Sequence, residues 1–177
     1  MTKISNCGHD ERNLYSGGAA GDQTKTEYRI CDWYSRPWDC VIRHPKAEVR
    51  ETIAKMARNA AENDNIGYDQ NQRTTFWQEL KKTGYNVRAI KTKCEADCSS
   101  STCTIVNGCG HKLGIKKLQD VSVDNWTGSM RSALSKAGFK VLTAGKYTDS
   151  CDYLLPGDIL LNEQHHVAIN VTKGAKA

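Results

Sequence analysis

Apolar positions recur with helical spacing through the middle of the chain and with strand-like spacing towards its end. Between residues 46 and 62, Val49, Ile53, Met56, Ala57 and Ala60 fall on one face of a helix. Pro45 stands at its start, and Asn63 to Gly67 forms a stop signal. Three further helices are expected: 74–84 closed by Gly84, 98–107 ending at Gly108, and 124–137 opened by Asp124 or Asn125 and stopped by Gly138. The period then changes. Residues 139–142 read as a short strand, Pro156-Gly157 as a turn, and 158–161 and 165–171 as the two strands of a hairpin. Residues 1–30 are polar and read as loops with one short strand. Residues 31–44, with Trp33, Tyr34 and Trp38 around Pro37, read as a compact extended segment, a core edge or a groove wall. This layout predicts an α+β domain, with N-terminal helices packed on a small antiparallel sheet. One domain is expected over 1–177, divided into an extended segment, 1–44, and a catalytic core, 45–177.

Composition narrows the function classes. With 177 residues, 38% of them hydrophobic and 25% charged, the chain can bury a core and is not of the disordered type. No apolar run approaches the roughly 20 residues of a membrane span. The start, Met1 to Asp10, lacks the apolar stretch of a secretory signal, so the protein is expected either to work in the cytoplasm or to leave by a route that needs no signal. The net charge of +5 fits a plain basic surface or an anionic polymer such as a cell wall. Basic residues form no long block and are not interleaved with aromatics, which argues against nucleic acid. Eight cysteines without a signal peptide are expected to be reduced thiols, and the sequence assigns no pairing.

The most informative stretch is Glu95-Ala96-Asp97-Cys98-Ser99-Ser100. Asp97 suits an N-cap, which puts Cys98 in the first turn of a helix, where free N–H groups and the helix dipole favour a thiolate. The same N–H groups can hold an oxyanion. A buried cysteine with no chemical role is the plain alternative. Zinc is another, because Cys94, Cys98, Cys103 and Cys109 lie close together, but no CxxC pair exists. His166 opens an apolar strand and shares a face with Ala168 and Asn170, while His165 shares the other face with Val167 and Ile169. A strand histidine facing a helix-start cysteine is the papain-like arrangement of nucleophile and base. Asn170 is the candidate third group, although four residues along a strand span about 13 Å.

Asp97-Cys98-Ser99-Ser100, followed by Leu155-Pro156-Gly157-Asp158-Ile159-Leu160-Leu161 and His165-His166-Val167-Ala168-Ile169, resembles the NlpC-type cell-wall cysteine hydrolases and the related CHAP amidases. Ser16 to Thr24 and Trp33 to Trp38 resemble a subgroup common in phage endolysins. The resemblance covers nearly the whole chain. It implies a papain-like fold, Cys98 as nucleophile, His166 as base and cleavage of an amide in the peptide stem of peptidoglycan. It implies a tyrosine before the nucleophile that lines the site, for which Tyr68 is the nearest match. Tyr68, Asp69, Arg73, Trp38, Asp97 and Ser99 are the candidates for substrate binding. No metal or organic cofactor is implied, nor nucleic acid or membrane insertion. The expected protein is a monomeric lysin that reaches the wall after release through a holin or lysis. A non-catalytic wall-binding module, a zinc-binding protein and an intracellular cysteine protease or transglutaminase-like enzyme are the rival readings.

Overall fold

The computed structural model describes all residues, 1–177. In chain order its elements are β1 (Lys3–Cys7), β2 (Tyr28–Asp32), β3 (Cys40–Arg43), α1 (Ala47–Ala61), β4 (Ile66–Tyr68), α2 (Thr75–Lys82), β5 (Cys94–Ala96), α3 (Cys98–Leu113), α4 (Lys116–Gln119), α5 (Thr127–Lys136), β6 (Lys140–Leu142), α6 (Gly145–Thr148), β7 (Ile159–Asn162) and β8 (His166–Asn170). Six strands form one sheet in the order β2-β1-β8-β7-β3-β6, and β4 pairs with β5 separately. Every pairing in the large sheet is antiparallel, whereas β4 and β5 run parallel.

The class is α+β, as the pattern predicts, but the sheet is larger than a C-terminal hairpin. Residues 1–44 supply β1, β2 and β3, so they share one sheet with the rest of the chain. Their polar composition hides this. In Lys3-Ile4-Ser5-Asn6-Cys7 only Ile4 is a large apolar residue, yet Ile4, Ser5, Asn6 and Cys7 are all buried. The strand is held by ladders on both sides, from Lys3↔Asp32 to Cys7↔Tyr28 with β2 and at Ile4↔Asn170 and Ser5↔Ile169 with β8. Backbone pairing, not side-chain burial, is the main support for such a strand.

Side chains alternate across this sheet as the pleat requires. Cys40, Ile42, Ile159, Leu161, Val167 and Ile169 enter the main core with Val49, Ile53 and Met56 of α1 and Ile105, Val106 and Cys109 of α3. On the other face Ile4, Val41, Leu160 and Ala168 pack with Trp38 and Leu154. The helical stripe Val49, Ile53, Met56, Ala57 and Ala60 is buried as its spacing predicts. The helix begun at Cys98 does not stop at Gly108, but runs to Leu113 and closes on Gly114 at φ 66. Gly108 and Gly110 serve close packing instead: a Cβ would sit 2.8 Å from Met56 Cε at the first and 2.6 Å from the Gln119 amide at the second.

Two devices fix the β7–β8 hairpin, one at its open end and one at the turn that leads to the candidate base. Asp158 is fully buried and accepts from the Leu155 amide at 2.8 Å and from Arg43 Nε at 2.7 Å, tying the start of β7 to β3. The turn between β7 and β8 runs through Gln164 at φ 65, so His165 lies in the turn and the strand begins at His166. No helix is long and apolar enough to cross a membrane.

Candidate functional site

Cys98 is the first residue of α3. The Asp97 carboxylate caps that helix by accepting from Ser100 N at 2.7 Å, and the Ser100 hydroxyl accepts from Asp97 N at 2.9 Å. This is a capping box, which satisfies two otherwise orphaned amides and fixes where the helix starts. Arg73 braces the junction. Its Nε donates to Asp97 Oδ2 at 2.8 Å, and its Nη2 donates to Ser99 Oγ at 3.0 Å and to the Asn125 carbonyl at 2.9 Å. A part-buried ion pair of this kind sets geometry more than stability. Cys98 is therefore anchored from both sides while its own side chain stays half-buried.

The Cys98 side chain opens into a cleft of about 350 Å³ that it shares with His166, Asn6, Tyr34, Arg36 and Tyr68. No hydrogen bond joins the thiol to the imidazole in this state; the His166 ring is bonded instead to Asn6, with Nε2 at 2.7 Å from Asn6 Oδ1. The amide oxygen only accepts, so Nε2 carries the hydrogen and Nδ1 keeps its lone pair. Strand register explains the contact. Continuing Ile4↔Asn170 and Ser5↔Ile169 puts Asn6 opposite Ala168 and one diagonal step from His166 on the same face. Tyr34 donates to the same Oδ1 at 3.2 Å, and the Trp38 ring lies 6.3 Å from the imidazole. Gly8 leaves room for the amide, since a Cβ there would be 2.9 Å from Asn6 Nδ2.

Burial dominates the electrostatics. It pushes the Cys98 thiol up to about 12, the charge of Asp97 adding to the effect, against the lowering influence of the N–H groups of Val167, Ser99 and Cys98. The helix start therefore does not by itself secure a thiolate. Burial also lowers His166 to about 4, with the positive charge of Arg36 second. At neutral pH the two groups are a thiol and a neutral imidazole, and a resting ion pair is not expected. Tyr68 is buried and held as the phenol, while its hydroxyl oxygen accepts from Gln70 Nε2 at 3.2 Å and its hydrogen is left free.

Arg73, Asp97 and Ser99 line a second cleft on the other side of Cys98, with Trp126, Gln164 and His165. Tyr68 lines the first. Asp69 is placed differently: it is buried and organises a loop by accepting from Gly17 N at 3.2 Å and Asn71 N at 2.7 Å. Trp38 backs the histidine from the second core. Asn170 does not meet the imidazole. Its Nδ2 donates to the Leu155 carbonyl at 2.8 Å and the Thr172 carbonyl at 2.6 Å, pinning the β7 approach to the chain after β8. Asn6 occupies the orienting position that Asn170 was the candidate for. Neither the polar strand β1 nor its distance of 160 residues from His166 marks Asn6 in the sequence. Arg36, Gln70 and Trp126 were missed for the same reason, that only folding brings them to Cys98.

Other arrangements do not compete. All eight cysteines are free, and no three His, Cys, Asp or Glu side chains are grouped so that they could hold a metal ion. A larger cleft of about 480 Å³ beside α5 contains neither cysteine nor histidine.

No curated protein and no solved structure matches the chain. One family model does, that of the endolysin-like domain, and it runs from residue 4 to residue 177, from β1 with Asn6 through Cys98 to the strand of His166. Since it spans nearly the whole chain and contains both walls of the cleft, the chain belongs to the endolysin-like domain family.

Proposed function

We propose that the protein is a cysteine peptidoglycan hydrolase of NlpC or CHAP-like, papain-type organisation that cleaves an amide in the peptide stem of the bacterial wall. The observation that carries this reading is the Asn6 Oδ1 to His166 Nε2 bond at 2.7 Å in a cleft shared with Cys98. A histidine held in one tautomer beside a helix-start cysteine is the minimum apparatus for acyl transfer. The endolysin-like family supports a cell-wall substrate, and its action would follow release by a holin or lysis.

In the proposed reaction His166 Nδ1 takes the Cys98 proton as sulfur attacks the amide carbonyl. The N–H groups of Ser99, Cys98 and Val167 that stabilise negative charge at Cys98 assist formation of the thiolate. The free hydrogen of Tyr68 is suited to the developing oxyanion. Imidazolium then protonates the leaving amine, giving a thioester and a free amino group. Water, deprotonated by the same Nδ1, hydrolyses the thioester and restores thiol and carboxylate product. No step needs a metal or organic cofactor. His165 lines the cleft too, but it lies in the turn and no hydrogen bond orients it, so His166 is the base.

The test is clearance of purified Gram-positive walls under reducing conditions, with release of amino groups and fragment masses followed. Wild type should clear the walls and release amines, and Cys98→Ala and His166→Ala should do neither. Equal behaviour of wild type and Cys98→Ala would move a wall-binding module to the front.

A further inference from the structure

We infer that Arg36 is a specificity residue that binds a free carboxylate of the substrate next to the scissile bond. The inference rests on the Cys98–His166 reading and adds to it the charge of what the cleft accepts. Arg36 is part-buried, and its Nε is shielded from water with no hydrogen-bond partner. None of the protein's ion pairs uses it. Arg43 and Arg73, also part-buried, are each bonded to a buried aspartate, Asp158 and Asp97. Arg36 alone of these three has no anion.

Its position gives the missing anion a purpose. Arg36 lines the same cleft as Cys98 and His166, and its charge is felt at the imidazole. No Asp or Glu lines that cleft, which holds Arg36, His9, His165 and His166. The one acid of the adjoining cleft, Asp97, is already engaged by Arg73. Arg36 is therefore the cation of the cleft that no carboxylate of the protein answers. A shielded Nε–H without a partner is costly, and a substrate carboxylate would supply the acceptor and the counter-charge together. The planar fork fits a carboxylate through two parallel N–H bonds. Stem peptides offer that group as side-chain or terminal carboxylates beside amides, and the same recognition serves either.

The test uses reagents of equal size and opposite character at Cys98. Iodoacetate carries a carboxylate and iodoacetamide does not, and both alkylate the same sulfur by displacing iodide. Rates at Cys98 are read by peptide mass in wild type, Arg36→Gln and Arg36→Lys, each checked for folding by thermal melt. Arg36 also acts on His166, but that effect is common to both reagents and cancels in the ratio. The iodoacetate to iodoacetamide ratio should fall about tenfold or more in Arg36→Gln and less in Arg36→Lys, which keeps the charge and loses the fork. An unchanged ratio overturns the inference, as does failure of either reagent to reach Cys98, since the carboxylate would sit in that cleft. Stem peptides amidated at the side chain or at the terminus then identify which carboxylate matters, by the loss of kcat/KM that Arg36→Gln no longer shows. If no stem peptide is cut by wild type, the hydrolase reading fails, while the alkylation ratio still decides Arg36.

Discussion

Removing the Asn6 side chain tests whether His166 depends on it. In Asn6→Ala the imidazole loses the acceptor now 2.7 Å from Nε2. A shielded N–H left without a partner costs about 1–3 kcal/mol. At 1.36 kcal/mol per factor of ten, that is roughly 5- to 150-fold in rate. The loss belongs in kcat, because the oriented amide counts most when the imidazole becomes positively charged, and KM should hold. Tyr34 donates to the same oxygen at 3.2 Å and acts through Asn6. Tyr34→Phe should therefore lower kcat by a smaller factor, and the double variant should be no worse than Asn6→Ala alone. Asn6→Asp restores an acceptor and should recover part of the rate. The assay is amine release from purified walls, with a thermal melt of each variant, since Asn6 lies in a central strand. An Asn6→Ala rate within twofold of wild type refutes the role, as do losses from Asn6 and Tyr34 that multiply.

Three further outcomes are expected. With His166 lowered to about 4 by burial and Arg36, the acid limb of kcat/KM should lie near pH 4 rather than near 6.5, and Arg36→Gln should move it upward; by the same shift, His166 contributes stability at neutral pH that is lost as pH falls from 6.5 through about 4. Glu95 is fully buried with both carboxyl oxygens unpartnered and is raised from 4.5 to about 7 by burial and then by Asp69 and Glu27, so it costs stability as pH rises from 4.5 to 7. That cost is roughly 3 kcal/mol, and Glu95→Gln, which exchanges it for an amide able to donate, should raise the melting temperature by up to about 6–12 °C at pH 8 and by less at pH 5; no gain at pH 8 would sink this account. Gly8→Ala should shift the Asn6 amide, whose Nδ2 would stand 2.9 Å from the new Cβ, and lower kcat about as far as Tyr34→Phe does while the melt stays within a few degrees of wild type.

Much of the fold was legible because it is written in local periodicity. The α1 stripe and the β7–β8 hairpin follow from spacing alone. The Asp97 cap is local too, and so is the placing of Cys98 at a helix start. What was not legible depends on distant pairing. The strands β1 and β2 have little apolar pattern, β1 being held by ladders on both sides and β2 by its ladder with β1, and Gly108 of α3 reads as a stop when it is a contact point for α1. Asn6 follows the same logic. Its partnership with His166 is fixed by the β1–β8 register, a relation between two ends of the chain. Asn170, close in sequence and on the same face, was too far along its own strand to serve.

The charges of the cleft connect orientation to recognition. Burial keeps the Cys98 thiol protonated and the imidazole neutral, so on the proposed reading the free site would be a poor nucleophile beside a base weaker than an ordinary histidine. Arg36 contributes to that weakness, and its charge is the component a substrate can cancel. A carboxylate seated on the guanidinium would neutralise the charge beside His166 and return part of its basicity when an amide is in place. Burial, the larger cause, would remain, so the recovery is partial. Binding would then do two things with one contact, choosing an anionic stem peptide and readying the base. An acid limb of kcat at higher pH than that of kcat/KM is the kinetic mark of such coupling, because the first reports the bound enzyme and the second the free one. Coincident limbs would separate recognition from activation and leave Arg36 with recognition alone.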